Sequence, residues 1–242
     1  MTLVLLFLAG VAAGFINALA GGGSALTIPI LTELVGASVA NGTNRVAILI
    51  ANFAAVAGFE RDKVVPWPAV RRLVPAVVVG AGAGAVVASR LSADVMQRVF
   101  AAVLVLVALS VLLRPNRWME EAEARLGPTG AIVVFLGIGF YGGFVQAGVG
   151  FILLAGLVFG SGLDLVSGNA AKVALIAAYT GVALIIFVVA GQVDFGLGLT
   201  LAAGNSTGAY VAARVAVRKG APWVRWVLIV AALGAAVRMA TA

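Results

Sequence analysis

The chain contains no cysteine and no histidine. The first absence excludes disulfides, thiolate metal sites and cysteine nucleophiles. The second removes the commonest general base and the imidazole ligands of zinc. Charge is scarce too: 10% of the 242 residues are charged, against 63% hydrophobic. A soluble domain carries about 25% charged residues, so this chain has too few to clothe a surface in water. With a mean hydropathy of +1.15 it reads as an all-α, polytopic integral membrane protein. Most enzyme classes are thereby poor candidates. No GxxxxGK[ST] motif exists for ATP hydrolysis, and Ser24 has no histidine to activate it.

What charge there is leans basic, at +7. The cations sit between apolar runs rather than on one face, which fits cytoplasmic loops and not nucleic acid. The opening, Met1 to Leu6, lacks a basic n-region and continues into glycines, so it reads as a retained segment. Apolar segments fall at 3–20, 24–37, 45–59, 69–89, 95–113, 128–147, 149–160, 170–190, 196–217 and 222–240. Two of them, 24–37 and 149–160, are short for a span, and each follows a glycine-rich break. A polar linker, 114–127, divides the chain almost in half.

The halves match. A shift of 129 positions places Gly10 on Gly139, Gly14 on Gly143, Asn17 on Gln146 and Gly21 on Gly150. With two residues deleted, Arg45-Val46-Ala47 meets Lys172-Val173-Ala174, and later Gly80 and Gly84 meet Gly204 and Gly208. This collinear order indicates a duplication. The basic bias reverses between the copies: 60–72 carries Arg61, Lys63, Arg71 and Arg72, whereas 191–195 carries no cation. Corresponding loops therefore belong on opposite sides, as in two inverted-topology repeats, with the linker cytoplasmic. The domains expected are 1–113, the linker 114–127, and 128–242. Re-entrant helix pairs at the glycine breaks would leave three full spans per copy; five spans per copy is the competing count.

Candidate site residues follow from the breaks. Asn17, Gly21, Gly22, Gly23 and Ser24 mark the first; Gln146, Gly148 and Gly150 mark the second. Broken backbone at membrane depth survives only where protein or a water-filled cavity satisfies it, and a matched pair of breaks points to a transport site. Exposed N–H groups there suit an anion; the alternative is tight helix packing alone. Asn41, Asn44 and Arg45, with Asn169 and Lys172, read as two helix starts, each with a cation in the first turn. That placement opposes the helix dipole, so it implies either an anion pocket or a side chain snorkelling to the interface. The GxxxG pairs suit packing within the bundle or at a homodimer seam. Glu33 and Asp164 are candidates for a proton relay or, more simply, loop ends. Gly137 to Gly142 matches GxGxxG but lies in an apolar helix, which excludes dinucleotide binding.

Gly10 to Leu31, of the form GxxxGFxNAxAGGGS followed by Pro29-Ile30-Leu31, resembles the TauE/SafE family of sulfite exporters. So do the starts at Asn41 to Ile50 and Asn169 to Leu175, and the second opening Gly142 to Phe151. The resemblance covers nearly the whole chain. It implies a secondary carrier built from inverted repeats that moves sulfite, sulfonates or related organosulfur anions, mostly outward. The carrier expected from the chain as a whole lies in the cell membrane, takes no cofactor, and is coupled to protons or to the membrane potential, which when inside-negative favours anion exit. The resemblance also places Asn17, Gly21 to Ser24, Asn44, Arg45, Gln146, Gly150, Asn169 and Lys172 near a central site. The second copy lacks the triple glycine and has Ala171 where the first has Asn44, which makes that site asymmetric. The competing classes are a drug/metabolite-type carrier with a non-anionic substrate and a non-transporting membrane scaffold.

Overall fold

The computed structural model describes the backbone of residues 2–100, 102 and 126–240, and their side chains except at 2, 3, 128, 225 and 228–240. Among the described residues every regular element is helical. The helices are α1 (Thr2–Leu19), α2 (Ser24–Val35), α3 (Ala37–Glu60), α4 (Trp67–Ser89), α5 (Pro128–Phe144), α6 (Val149–Ala155, continued by a π-helical turn Gly156–Gly160), α7 (Leu165–Val189) and α8 (Phe195–Ala240). Residues 93–100 are helical as well. Most of the apolar run at 95–113 and of the 114–127 linker lies outside the described residues.

α3, α4 and α7 are long and apolar enough to cross a membrane. Their ends have local causes. Proline in the first turn starts α4 and α5, where a missing N–H costs nothing. Asp164 caps α7, accepting from the N–H groups of Val166 and Ser167 at 2.8 and 3.0 Å. α8 is interrupted at Gly220 (φ 72°), just before Pro222. Glu33 is exposed near the end of α2 and Asp164 is exposed at its cap, so both lie at helix ends.

One boundary departs from expectation. α3 begins at Ala37 and runs through Asn41-Gly42-Thr43-Asn44, which the sequence presents as a helix start. These cap-type residues serve other partners. The Thr43 hydroxyl accepts from Asp194 N–H at 2.9 Å. A Cβ on Gly42 would lie 2.0 Å from the carbonyl oxygen of Gln192.

Glycines set the packing. α1 runs parallel to α8, with Gly10 and Gly14 against the backbone of Leu201 to Asn205 and Gly204 and Gly208 against Phe7 and Val11. α5 runs parallel to α4 in the same manner, Gly139 and Gly143 meeting Val77 and Ala81 while Gly80 and Gly84 meet Leu136 and Phe140. Small residues bring backbones into contact where apolar solvent supplies no hydrophobic drive. α3 and α7 pack on each other and, respectively, on α8 and α4.

Hydrogen bonds tie the loops into two groups. Arg61 donates to the Tyr210 hydroxyl at 2.9 Å and Arg214 pairs with Asp62, while Leu126 N–H donates to the Gly160 carbonyl at 3.2 Å. At the opposite end, Gln192 donates to the Ser89 carbonyl at 3.0 Å, beside the Asp194–Thr43 contact. Among the described residues, the first end carries Arg61, Lys63, Arg71, Arg72, Arg214, Arg218 and Lys219 against three carboxylates, Glu60, Asp62 and Asp164. The second has Arg90 and Arg98 against Glu33, Asp94 and Asp194.

Candidate functional site

α1 and α5 both end inside the protein, and a helix ending there leaves carbonyls without partners. After Leu19 the chain turns through Gly21 (φ 80°) and restarts at Ser24; after Phe144 it turns through Gln146 (φ 68°) and Gly148 (φ 73°) and restarts at Val149. A left-handed non-glycine residue such as Gln146 costs roughly 1–2 kcal/mol. The two turns touch. A Cβ on Gly21 would lie 2.2 Å from the Gly150 Cα, and the reverse distance is also 2.2 Å. Gly22 faces the Phe151 ring, and Gly23 packs on the Ala13 carbonyl and the Asn17 Cβ. Only glycine fits at Gly21, Gly23 and Gly150, where the neighbour is backbone, whereas at Gly22 the Phe151 ring would have to shift.

The open helix ends are closed by cations from the opposite half. Lys172 Nζ donates to the carbonyls of Asn17 (3.1 Å) and Ala18 (2.9 Å) and to Asn169 Oδ1 (2.7 Å). Arg45 does the same for α5: Nη1 donates to the Gly142 carbonyl (3.2 Å), and Nη2 to the Gly143 carbonyl (2.5 Å) and Asn41 Oδ1 (3.2 Å). Asn41 Nδ2 adds a bond to the Phe144 carbonyl at 2.9 Å, and the guanidinium lies 4.6 Å from the Phe187 ring centroid. Both cations are fully buried. They are not in the first turns of their helices, because α3 and α7 begin at Ala37 and Leu165, two turns earlier. The dipole that matters is that of the facing helix, whose negative C-terminal end attracts them. Neither snorkels. A charge at a span's centre costs about 2.5–3.5 kcal/mol. Charge-assisted hydrogen bonds contribute about 1.5–3 kcal/mol each, so three apiece offset that cost.

Polar side chains join the turns to α3. Asn44 Nδ2 donates to Gln146 Oε1 (3.1 Å) and Ser24 Oγ (3.3 Å), and Asn44 Oδ1 accepts from Thr27 at 2.7 Å. The Tyr141 hydroxyl donates to the Ala147 carbonyl at 2.5 Å. Four buried groups able to donate have no hydrogen-bond partner beside the turns: Arg45 Nε, Gln146 Nε2, Asn169 Nδ2 and the Tyr179 hydroxyl, which lies against Gly142. Every expected site residue is therefore at or beside the two turns. Asn17 is there through its backbone, since it lies within α1 while its sequence match Gln146 lies in the break. Thr27, Tyr141 and Phe187 were not foreseen. Thr27 had one available signal, its position three residues after Ser24 on the same helix face.

This is an all-helical, multi-pass membrane protein in which the ends of α1 and α5 lie beside buried polar side chains, and known proteins define the class further. The chain is similar to the probable membrane transporter protein YfcA of Escherichia coli (strain K12), 30% identical over 233 residues, covering 95% of this chain and 86% of that protein. It is 30% identical over 241 residues to the probable membrane transporter protein ORF9 of Sinorhizobium sp, covering 98% and 92%. A probable membrane transporter protein of Haemophilus influenzae is 26% identical over 232 residues, covering 94% and 90%. No solved structure matches. The family described as sulfite exporter TauE/SafE matches residues 6–239, and the chain belongs to that family. It is a membrane transporter and not an enzyme.

Proposed function

We propose that this protein is a secondary carrier that exports small sulfur-containing anions, such as sulfite or sulfonates, by alternating access between two inverted repeats, 1–113 and 128–242. The observation that carries this reading is the meeting of two broken helices, Gly21 against Gly150, with unpartnered N–H donors beside them. The substrate is held there among Asn17, Gly21 to Ser24, Asn41, Asn44, Arg45, Gln146, Gly148, Gly150, Asn169 and Lys172. Donors left over at buried helix breaks suit an oxyanion.

Several features support the inversion. The matched glycines Gly21 and Gly150 face each other, as equivalent residues do on a two-fold axis. The α1–α8 and α4–α5 crossings reuse matched glycines, and the α5–α6 pair folds back so that residues 126 and 160 meet. Each pair then acts as a re-entrant hairpin, entering from opposite faces. The excess of cations at the 61–66 and 126 end assigns that end, with the 114–127 linker, to the cytoplasm. An inside-negative potential then favours anion exit by about 2.3 kcal/mol per charge per 100 mV.

The test is flux in proteoliposomes for sulfite, thiosulfate, sulfoacetate, acetate and phosphate. Potential-driven flux selective for the sulfur compounds upholds the proposal. Equal flux of all anions removes the sulfur specificity, and no flux from folded protein removes the carrier reading.

A further inference from the structure

The two clamping cations are not equivalent, and the difference separates holding the fold from holding the substrate. Lys172 has three N–H donors, and all three are engaged: two on the open end of α1 and one on Asn169 Oδ1. A lysine so saturated has no donor left for a ligand. Arg45 spends its Nη groups on α5 and Asn41 but keeps Nε unpartnered. Gln146 accepts from Asn44 through Oε1 and keeps both Nε2 hydrogens free; Asn169 accepts from Lys172 and keeps Nδ2 free. In both amides the oxygen is tied down, so the amide cannot flip to hide its donors. All three residues are at most 1% exposed. An unmet buried donor costs about 1–3 kcal/mol, and these three belong to residues that are bonded around the ends of α1 and α5, where an acceptor would satisfy them.

We infer that Arg45 Nε, Gln146 Nε2 and Asn169 Nδ2 are the groups that touch the transported oxyanion, and that Lys172 is a positioning residue holding the end of α1. This rests on the transport reading above. It assigns the anion's contacts to N–H donors on both halves of the chain: Asn169 on α7, Gln146 in the second break and Arg45 on α3. The site is then complete only while the two turns are together. Lys172 acts through the carbonyls of Asn17 and Ala18, which set where the turn at Gly21 lies.

Two substitutions separate the roles, because they delete a donor and keep the acceptor. Asn169→Asp preserves the oxygen that receives Lys172, and Gln146→Glu preserves the one that receives Asn44. With sulfoacetate as the probe in proteoliposomes, each raises KM roughly 10- to 100-fold while Tm in detergent stays within a few degrees of wild type. Gln146→Met adds no charge and moves KM in the same direction. Lys172→Met lowers Tm and maximal rate but leaves KM within about threefold, because it removes the donors that close the end of α1. The inference is overturned if Lys172→Met raises KM as much as Asn169→Asp does, or if the Asp and Glu variants leave KM unchanged. Should Lys172→Met fail to fold, the amide variants decide the matter alone. Failure of the transport reading would appear in the wild type as absent flux; failure of this inference appears only in variants of a transporting wild type.

Discussion

At the scale of single residues, the chain uses glycine in two distinct ways. Gly14 is a contact glycine: its Cβ would fall 2.0 Å from the Asn205 carbonyl oxygen. Gly191 is a conformational one, at φ 68° with nothing within 4 Å. Gly14→Ala is expected to cost about 3 kcal/mol by forcing α1 and α8 apart, and Gly191→Ala about 1 kcal/mol from the left-handed backbone alone. Thermal unfolding in detergent ranks them, and equal losses would contradict the parallel crossing. Asp164 gives a pH-dependent case. Burial pushes its carboxyl up, but hydrogen bonds from Ser167 and Val166 outweigh this and hold it below the usual carboxylate value. Its cap is therefore fully stabilising above the ordinary carboxylate pKa and is lost as pH falls through the lowered one. Asp164→Ala should cost about 1 kcal/mol at neutral pH, with the gap to wild type closing in strong acid. A gap that stays constant with pH would show that the carboxylate is not the cap.

At the scale of elements, the ends of α1 at Leu19 and of α5 at Phe144 fall beside the glycines that the sequence singles out, Gly21 and Gly148. The start of α3 was not legible in the sequence. Asn41, Thr43 and Asn44 are cap-type residues, and local sequence gives no sign that their side chains are claimed by Phe144, Asp194, Ser24 and Gln146, all distant in the chain. Tertiary hydrogen bonds overrode the local signal. The same oversight put Arg45 and Lys172 in first turns, when each serves the C-terminal end of a helix about a hundred or more residues away. The fold-back of α5 on α6 is testable directly. A Cβ on Gly160 would lie 4.0 Å from the Leu126 Cβ, within the range of about 3.5–4.5 Å for a disulfide. In this cysteine-free chain, Leu126→Cys with Gly160→Cys should form an intrachain disulfide on mild oxidation. If no bond forms under oxidation, α5 does not fold back on α6 as the structure places it.

At the scale of the whole molecule, the two halves are exchanged in space. The first half's α1 packs on the second half's α8, the second half's α5 on the first half's α4, and each half's cation closes the other's broken helix. Matching along the sequence aligns Gly10 with Gly139 and Gly80 with Gly204, but this exchange was not legible there, since alignment says which residues correspond and not which touch. The charge difference between the ends yields a topology prediction: single cysteines at 63 and 162 label from the cytoplasmic face, and those at 36 and 191 from the outer face. Labelling of all four from one side would contradict the arrangement.

The central claim is that the meeting point of the two breaks is an anion site reached from both faces in turn. Ser24→Cys places a lone thiol there, 20 positions from Asn44 in the chain and bonded to it in space. The measurement is its rate of modification by a small cationic thiol reagent, in vesicles of each orientation, with and without sulfoacetate. The account predicts reaction from both faces, slowed by sulfoacetate. Reaction from one face only, or at a rate that sulfoacetate leaves unchanged, would contradict it.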